Sequence, residues 1–148
     1  MPVHRDELVV IAPPQHPVAR LKSVTIEEVG AFPLLMPKSG HTRDALENLF
    51  HERRMKPQIS MELDSSELLK RFVAADVGVG FIARSNVAED VRANTLAIIP
   101  IADAHIRRDL ALVFRKDKAL SRAALVFIDT AVKIKALDPS VETTKRGR

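Results

Sequence analysis

Cysteine, tryptophan and tyrosine are all absent from the 148 residues of this chain. Without thiols there is no disulfide framework and no cysteine nucleophile, which fits a reducing cytoplasm. Without Trp or Tyr, any ring for stacking single-stranded bases has to come from Phe or His. No hydrophobic run reaches membrane-spanning length, and the opening MPVHRDE puts charge where a secretory signal needs an apolar core. The formal charge is +4, but part of the excess lies in Lys145, Arg146 and Arg148 after the last apolar segment. Charge alone therefore gives little support to nucleic acid as a direct partner. What the chain does have is a hydrophobic content of 46%, enough for one globular domain with a sizeable core.

Residues 61–84, MELDSSELLKRFVAADVGVGFIAR, carry the densest signal. Asp64 is placed to cap a helix, Glu67 completes a capping box, and Ser65 and Ser66 add hydroxyls beside the same exposed amides. Leu68, Leu69, Phe72 and Val73 recur at helical spacing as a core face, with Glu67, Lys70 and Arg71 on the wet face. Gly78 and Gly80 bracket Val79 at the helix exit, and residues 77–83 are apolar and β-branched enough for an inner strand.

The same alternation runs through the rest. Strands are predicted at 8–12, 33–36, 58–63, 96–101 and 109–115, and Pro13, Pro14 and Pro17 interrupt the chain after the first. A helical turn is predicted at 25–29, and a helix at 43–54 with Thr42 as its cap and Leu46, Leu49 and Phe50 as its stripe. Residues 83–93 read as a loop with one loose helical stretch. Ser121 caps a helix to about 137 whose apolar positions spread around most of its circumference, the pattern of a helix buried on more than one side. Residues 138–148 read as a frayed basic tail. Strands alternating with helices predict a doubly wound α/β sheet.

Four blocks, DELVVIAPPQHPVAR, FPLLMPKSGHTRDALENLF, SSELLKRFVAADVGVGFIAR and RDLALVFRKDKALSRAALVFI, together resemble the effector-binding region of LysR-type transcriptional regulators. The resemblance spans about 5–136. It implies a periplasmic-binding-protein-like (type 2) α/β fold, with one complete lobe and the closing strand and helix of the other. On that template 1–12 is the crossover strand entering the second lobe, 13–95 is the second lobe, and 96–137 is the return crossover and the end of the first lobe. The family's helix-turn-helix and the opening of its first lobe have no counterpart here, which would leave the helix at 121–137 without its natural cover. The resemblance further implies a small anionic metabolite as effector, a dimer or tetramer, and promoter DNA only through the missing N-terminal domain. It implies neither membrane nor cofactor, and a cytoplasmic location.

Two helix mouths are the candidate binding site. The loop of Pro37, Lys38, Ser39, Gly40, His41 and Thr42 follows a strand and opens a helix, where unpaired amides and the dipole attract anions and carbonyl oxygens. Ser39 offers a hydroxyl, Gly40 lets a ligand approach the backbone, and Lys38 or Arg43 balances a carboxylate. The second mouth is Asp64, Ser65 and Ser66, with Ser65 the better partner for an anion because Asp64 repels one. The bland alternatives are a turn at Gly40, an N-cap at Thr42 and a capping box at Asp64. Gly78 and Gly80 follow a helix and lead into a strand, the reverse of a dinucleotide fingerprint. A helix-turn-helix at 69–91 would open its recognition helix with VGVGFIA, which reads no base edge. The five histidines lack metal-ligand spacing, and no nucleophile and base pair marks an enzyme. Arg53, Arg54 and Lys56 read as a solvated face at a helix end. Apart from effector sensing, the sequence allows a self-associating module without ligand or a stand-alone small-ligand-binding protein.

Overall fold

Leu34, Leu35 and Met36, and all five residues of the strand Val79–Ala83, are buried, as strands covered on both faces must be. In this computed structural model, which describes residues 2–137 apart from 116 and 118, those segments lie side by side near the middle of a sheet. The elements are β1 (Pro2–Ala12), α1 (Ile26–Gly30), β2 (Leu34–Pro37), α2 (His41–Glu52), β3 (Ile59–Leu63), α3 (Ser66–Ala74), β4 (Val79–Ala83), α4 (Ala88–Arg92), β5 (Ala97–Ile99), β6 (Arg107–Ala111) and α5 (Arg122–Leu137). Single 3-10 turns occupy Pro17–Arg20 and Arg84–Val87.

The sheet order is β3-β2-β4-β1-β5, with β6 also paired to β1. β2 pairs in parallel with both β3 and β4, whereas β1 runs antiparallel to β4 and β5. Alternate residues of each strand feed two separate cores. Val10, Leu34, Met36 and Phe81 pack with Leu46 and Phe50 of α2 on one face. Val9, Ile11, Leu35 and Ile82 pack with Leu69 and Val73 of α3 on the other. Phe50 and Phe81 meet edge to face with ring centroids 6.2 Å apart, the geometry the aromatic quadrupole favours.

Contacts divide the chain into two units, one from Glu7–Ile106 and one that combines the first residues through Asp6 with the chain from Arg107 onward. The first holds β2 to β5 and α1 to α4. In the second, Arg5 Nε donates to Asp109 Oδ1 at 2.8 Å, and Arg108 Nη2 lies 3.6 Å from the buried Asp6 carboxylate. Its helix α5 is capped as expected by Ser121, whose Oγ accepts from the Ala124 amide at 3.2 Å. Leu125, Val126, Phe127 and Ile134 on that helix are more than half exposed, so its broad apolar surface is not covered within the described residues.

Several boundaries differ from the sequence reading. β1 begins six residues before Leu8, because its first part pairs outside the apolar run that made it legible. β6 ends at Ala111, not Arg115, and Val113 is 92% exposed. Val77 is exposed and lies outside β4. Arg53 is no solvated charge: its guanidinium pairs with the Asp103 carboxylate and donates to the Asp103 carbonyl at 2.8 Å, while Asp103 also accepts the Ile26 amide at 3.0 Å. Residues 138–148, read as a tail, lie outside the described residues.

Gly78 is set by steric need. A Cβ there would sit 2.4 Å from the Pro33 carbonyl oxygen, the same oxygen that accepts the Val79 amide at 3.0 Å. Backbone cannot yield as a flexible side chain does, so a methyl group forces β4 off β2 at its first hydrogen bond. Gly78→Ala is therefore expected to destabilise the chain by about 1–3 kcal/mol, read as a lower urea midpoint at unchanged slope; an unchanged midpoint would refute the packing argument.

Candidate functional site

Parallel pairing brings the ends of β2 and β3 together: Pro37 lies opposite Leu63, and the Lys38 amide donates to the Leu63 carbonyl at 3.0 Å. From those neighbouring ends the chain departs in opposite directions, through 38–40 to α2 on one face and through 64–65 to α3 on the other. Adjacent strands whose connections leave to opposite faces define a topological switch point, and the crevice outside their carboxyl ends is where open α/β sheets bind ligands. Both candidate loops stand at that edge.

The helix mouths differ from expectation in one residue each. Gly40, not Thr42, occupies the N-cap of α2, with φ at 93° and no side-chain cap. Thr42 already lies inside the helix, because glycine alone adopts that left-handed angle without strain and so starts the turn early. Nothing lies within 4 Å of where a Gly40 Cβ would be, so the loop is open on that side. Ser65, not Asp64, caps α3, its Oγ accepting the Leu68 amide at 3.4 Å. Glu67 then falls at the second helical position and cannot close the capping box expected of it. Asp64 instead approaches Lys38, with Nζ and Oδ2 3.9 Å apart and both side chains largely exposed.

Arg43 is not available as the counter-charge that the sequence suggested. Its Nε donates to Glu47 and its Nη1 to Glu62, each at 2.6 Å, and Nη1 also reaches the Pro37 carbonyl at 3.1 Å. The side chain is 13% exposed and ties α2 to the ends of β2 and β3. The structure thus brings Pro37, Lys38, Ser39, Gly40, His41, Thr42, Asp64 and Ser65 to one edge, with Lys38, Ser39, Gly40 and His41 exposed. Among the described residues, no group of three or more His, Asp or Glu is placed to hold a metal ion, and no helix is long and apolar enough to cross a membrane.

A sheet of this order, with helices on both faces and a switch point between β2 and β3, is the architecture of periplasmic-binding-protein-like type 2 effector domains. The chain belongs to the LysR substrate binding domain family, whose model matches residues 1–134. It is 32% identical over 125 residues to the HTH-type transcriptional activator CmpR of Synechocystis, covering 84% of this chain and 41% of that protein. It is equally identical, over 125 residues, to the uncharacterized HTH-type transcriptional regulator YeiE of Escherichia coli K12, covering 42% of it. The chain thus spans less than half of these relatives. Among solved structures, the Synechocystis CcmR regulatory domain in complex with 2-PG superposes with a TM-score of 0.81 at 26% identity, covering 91% of this chain and 65% of that one. The effector binding domain of QuiR in complex with shikimate has the same fold, with a TM-score of 0.78 at 20% identity, covering 93% and 65%.

Sequence periodicity missed Lys70. Placed on the wet face by its charge, it is instead buried, and Leu68 is 48% exposed in its stead. Lys70 Nζ donates to Asp90 Oδ2 at 2.8 Å and to the Asn86 carbonyl at 3.1 Å, and lies 2.9 Å from Glu67 Oε1. It therefore ties α3 to the segment that follows β4. The only sequence signal was Glu67 three residues before it, which marks a partner but not burial. Burial lowers the Lys70 pKa, but hydrogen bonds to Asp90 and Glu67 outweigh it and leave the pKa above 10.5. A pKa higher in the folded than in the unfolded chain stabilises below the unfolded value and ceases to do so as pH rises through the folded one. Lys70→Met is expected to cost about 2 kcal/mol near neutrality, and the gap from the parent should narrow as pH rises above 10.5. Urea titrations at pH 7 and 11.5 check both, and a gap that widens with pH would contradict the assignment.

Proposed function

We propose that this chain is the effector-sensing part of a LysR-type transcriptional regulator and binds a small anionic metabolite at the carboxyl edge of β2 and β3. The observation that carries the reading is the switch point itself, where the uncapped first turn of α2 opens beside the end of β3. Ser39 and the amides following Gly40 receive a carboxylate or phosphate oxygen, and Lys38 supplies charge. Pro37, His41 and Thr42 shape the loop, while Ser65 lines the second mouth and Asp64 disfavours anionic groups there. Two relatives of the same fold were solved with small molecules, 2-PG and shikimate, which supports a ligand of that size. Binding biases the conformational equilibrium of the regulator, which acts in the cytoplasm as a homo-oligomer and meets promoter DNA through a separate N-terminal domain.

The test is a titration of the isotope-labelled chain with 2-PG, shikimate and a panel of aromatic and dicarboxylic acids, followed by amide NMR. Shifts confined to 38–43 and 64–68 are expected with at least one of them. Ser39→Ala should weaken that binding about fivefold, the worth of one hydrogen bond. Shifts elsewhere only, or none with any acid, would reject this site.

A second reading, self-association without ligand, draws on the exposed Leu125, Phe127 and Ile134 of α5. Sedimentation at micromolar concentration separates it, since a monodisperse monomer speaks against it and a concentration-dependent dimer supports it.

A further inference from the structure

We propose that Arg84, at the end of β4, is the principal counter-charge for an anionic ligand at this edge and so selects anions over neutral compounds. The inference rests on the binding reading above. β2 and β4 pair in parallel with Leu34 opposite Val79 and Leu35 opposite Gly80. The paired residues end there, β2 runs on to Pro37 and β4 to Ala83, and so Lys38 and Arg84 each follow the carboxyl end of adjacent parallel strands, with Arg84 on the side of β2 away from Asp64. The three loops at the ends of β3, β2 and β4 thus stand in a row, and each carries one charged residue: Asp64, Lys38 and Arg84.

Charge accounting separates the candidates. Arg43 is held by Glu47 and Glu62. Lys38 lies 3.9 Å from the Asp64 carboxylate, which offsets part of its field. Lys70 is buried between Asp90 and Glu67. The Arg84 side chain is exposed and takes part in no hydrogen bond or ion pair among the described residues. It is also anchored from below, because Lys70 holds the Asn86 carbonyl and Asp90 two and six residues further on. A guanidinium on an anchored segment presents its planar fork with less entropy to lose than a lysine on a loop, and that fork matches the two oxygens of a carboxylate or phosphate.

The experiment titrates the whole chain with succinate, inorganic phosphate and the neutral succinamide, reading the amides of 38–43. Arg84→Gln should weaken both anions at least tenfold and leave succinamide unchanged. Arg84→Lys, which keeps the charge but not the fork, should weaken them only about threefold. Arg92→Gln removes the same charge from α4 and should have no effect. Parental affinity in Arg84→Gln, or an equal loss in Arg92→Gln, would overturn the role of Arg84 while leaving the site in place. If Arg84→Gln fails to fold, the absence of any loss in the folded Arg84→Lys overturns the fork argument. Absence of shifts at 38–43 in the parent with either anion would remove the site and this inference together.

Discussion

The position of β2, held in parallel register by β3 on one side and β4 on the other, is the constraint from which the rest of this unit follows. Parallel neighbours cannot be joined by a tight turn, so each connection must climb over a face of the sheet, and a helix is the economical way to do it. α2 crosses one face from β2 to β3, and α3 crosses the other from β3 to β4. Both helices therefore begin at the same edge, with their amide-rich ends upward, and no separate device is needed to bring the loops of 38–42 and 64–66 together. The two cores maintain this arrangement, since Leu35 and Met36 are adjacent in sequence yet belong to different cores. A slip of one residue would exchange them and strip both.

Charge at the edge is distributed by the same logic. Arg43 lies on the first turn of α2 and is consumed in fastening that helix to Pro37 and Glu62, a use of a guanidinium that fixes geometry and leaves little field for a ligand. Its pKa is raised, first by the Glu47 hydrogen bond, so the guanidinium stays charged wherever its carboxylate partners are ionised. On the opposite face Lys70 does the equivalent work for α3. Each helix is thus pinned by a cation satisfied within the protein, Arg43 in the first turn of α2 and Lys70 midway along α3, so a ligand at the proposed site would meet helices already fixed in place.

How much of this was legible in the sequence depends on whether the deciding interaction was local. Gly78 and the apolar residues of β4 announced a buried strand after a helix because composition and spacing suffice for that. The two mouths were found, but each cap was misplaced by one or two residues. Asp64 and Ser65 are both good caps in isolation, and Thr42 is a better one than Gly40, so the choice was made by the strand ends at Leu63 and Pro37 and by the left-handed angle at Gly40. Lys70 and Arg53 were misread as solvated because their partners, Asp90 and Asp103, lie 20 and 50 residues away. Arg84, proposed above as a counter-charge, drew no notice as a candidate because no motif surrounds it.

The glycines give the clearest view of how the edge divides labour. Gly78 is excluded from bearing a side chain by the Pro33 carbonyl, and Gly80 is crowded by the side-chain ends Leu69 Cδ2 at 2.9 Å and Val73 Cγ2 at 3.1 Å. They are packing glycines, and they let α3 and β2 approach β4 closely. Gly40 has open space where a Cβ would be, and its constraint is wholly conformational. A residue that is glycine for its backbone angle, in a loop with open space where its Cβ would be, leaves α2 without a side-chain cap at its first turn. Packing glycines close a structure and this one opens it, so the proposed site draws on Gly40 and not on the more conspicuous pair.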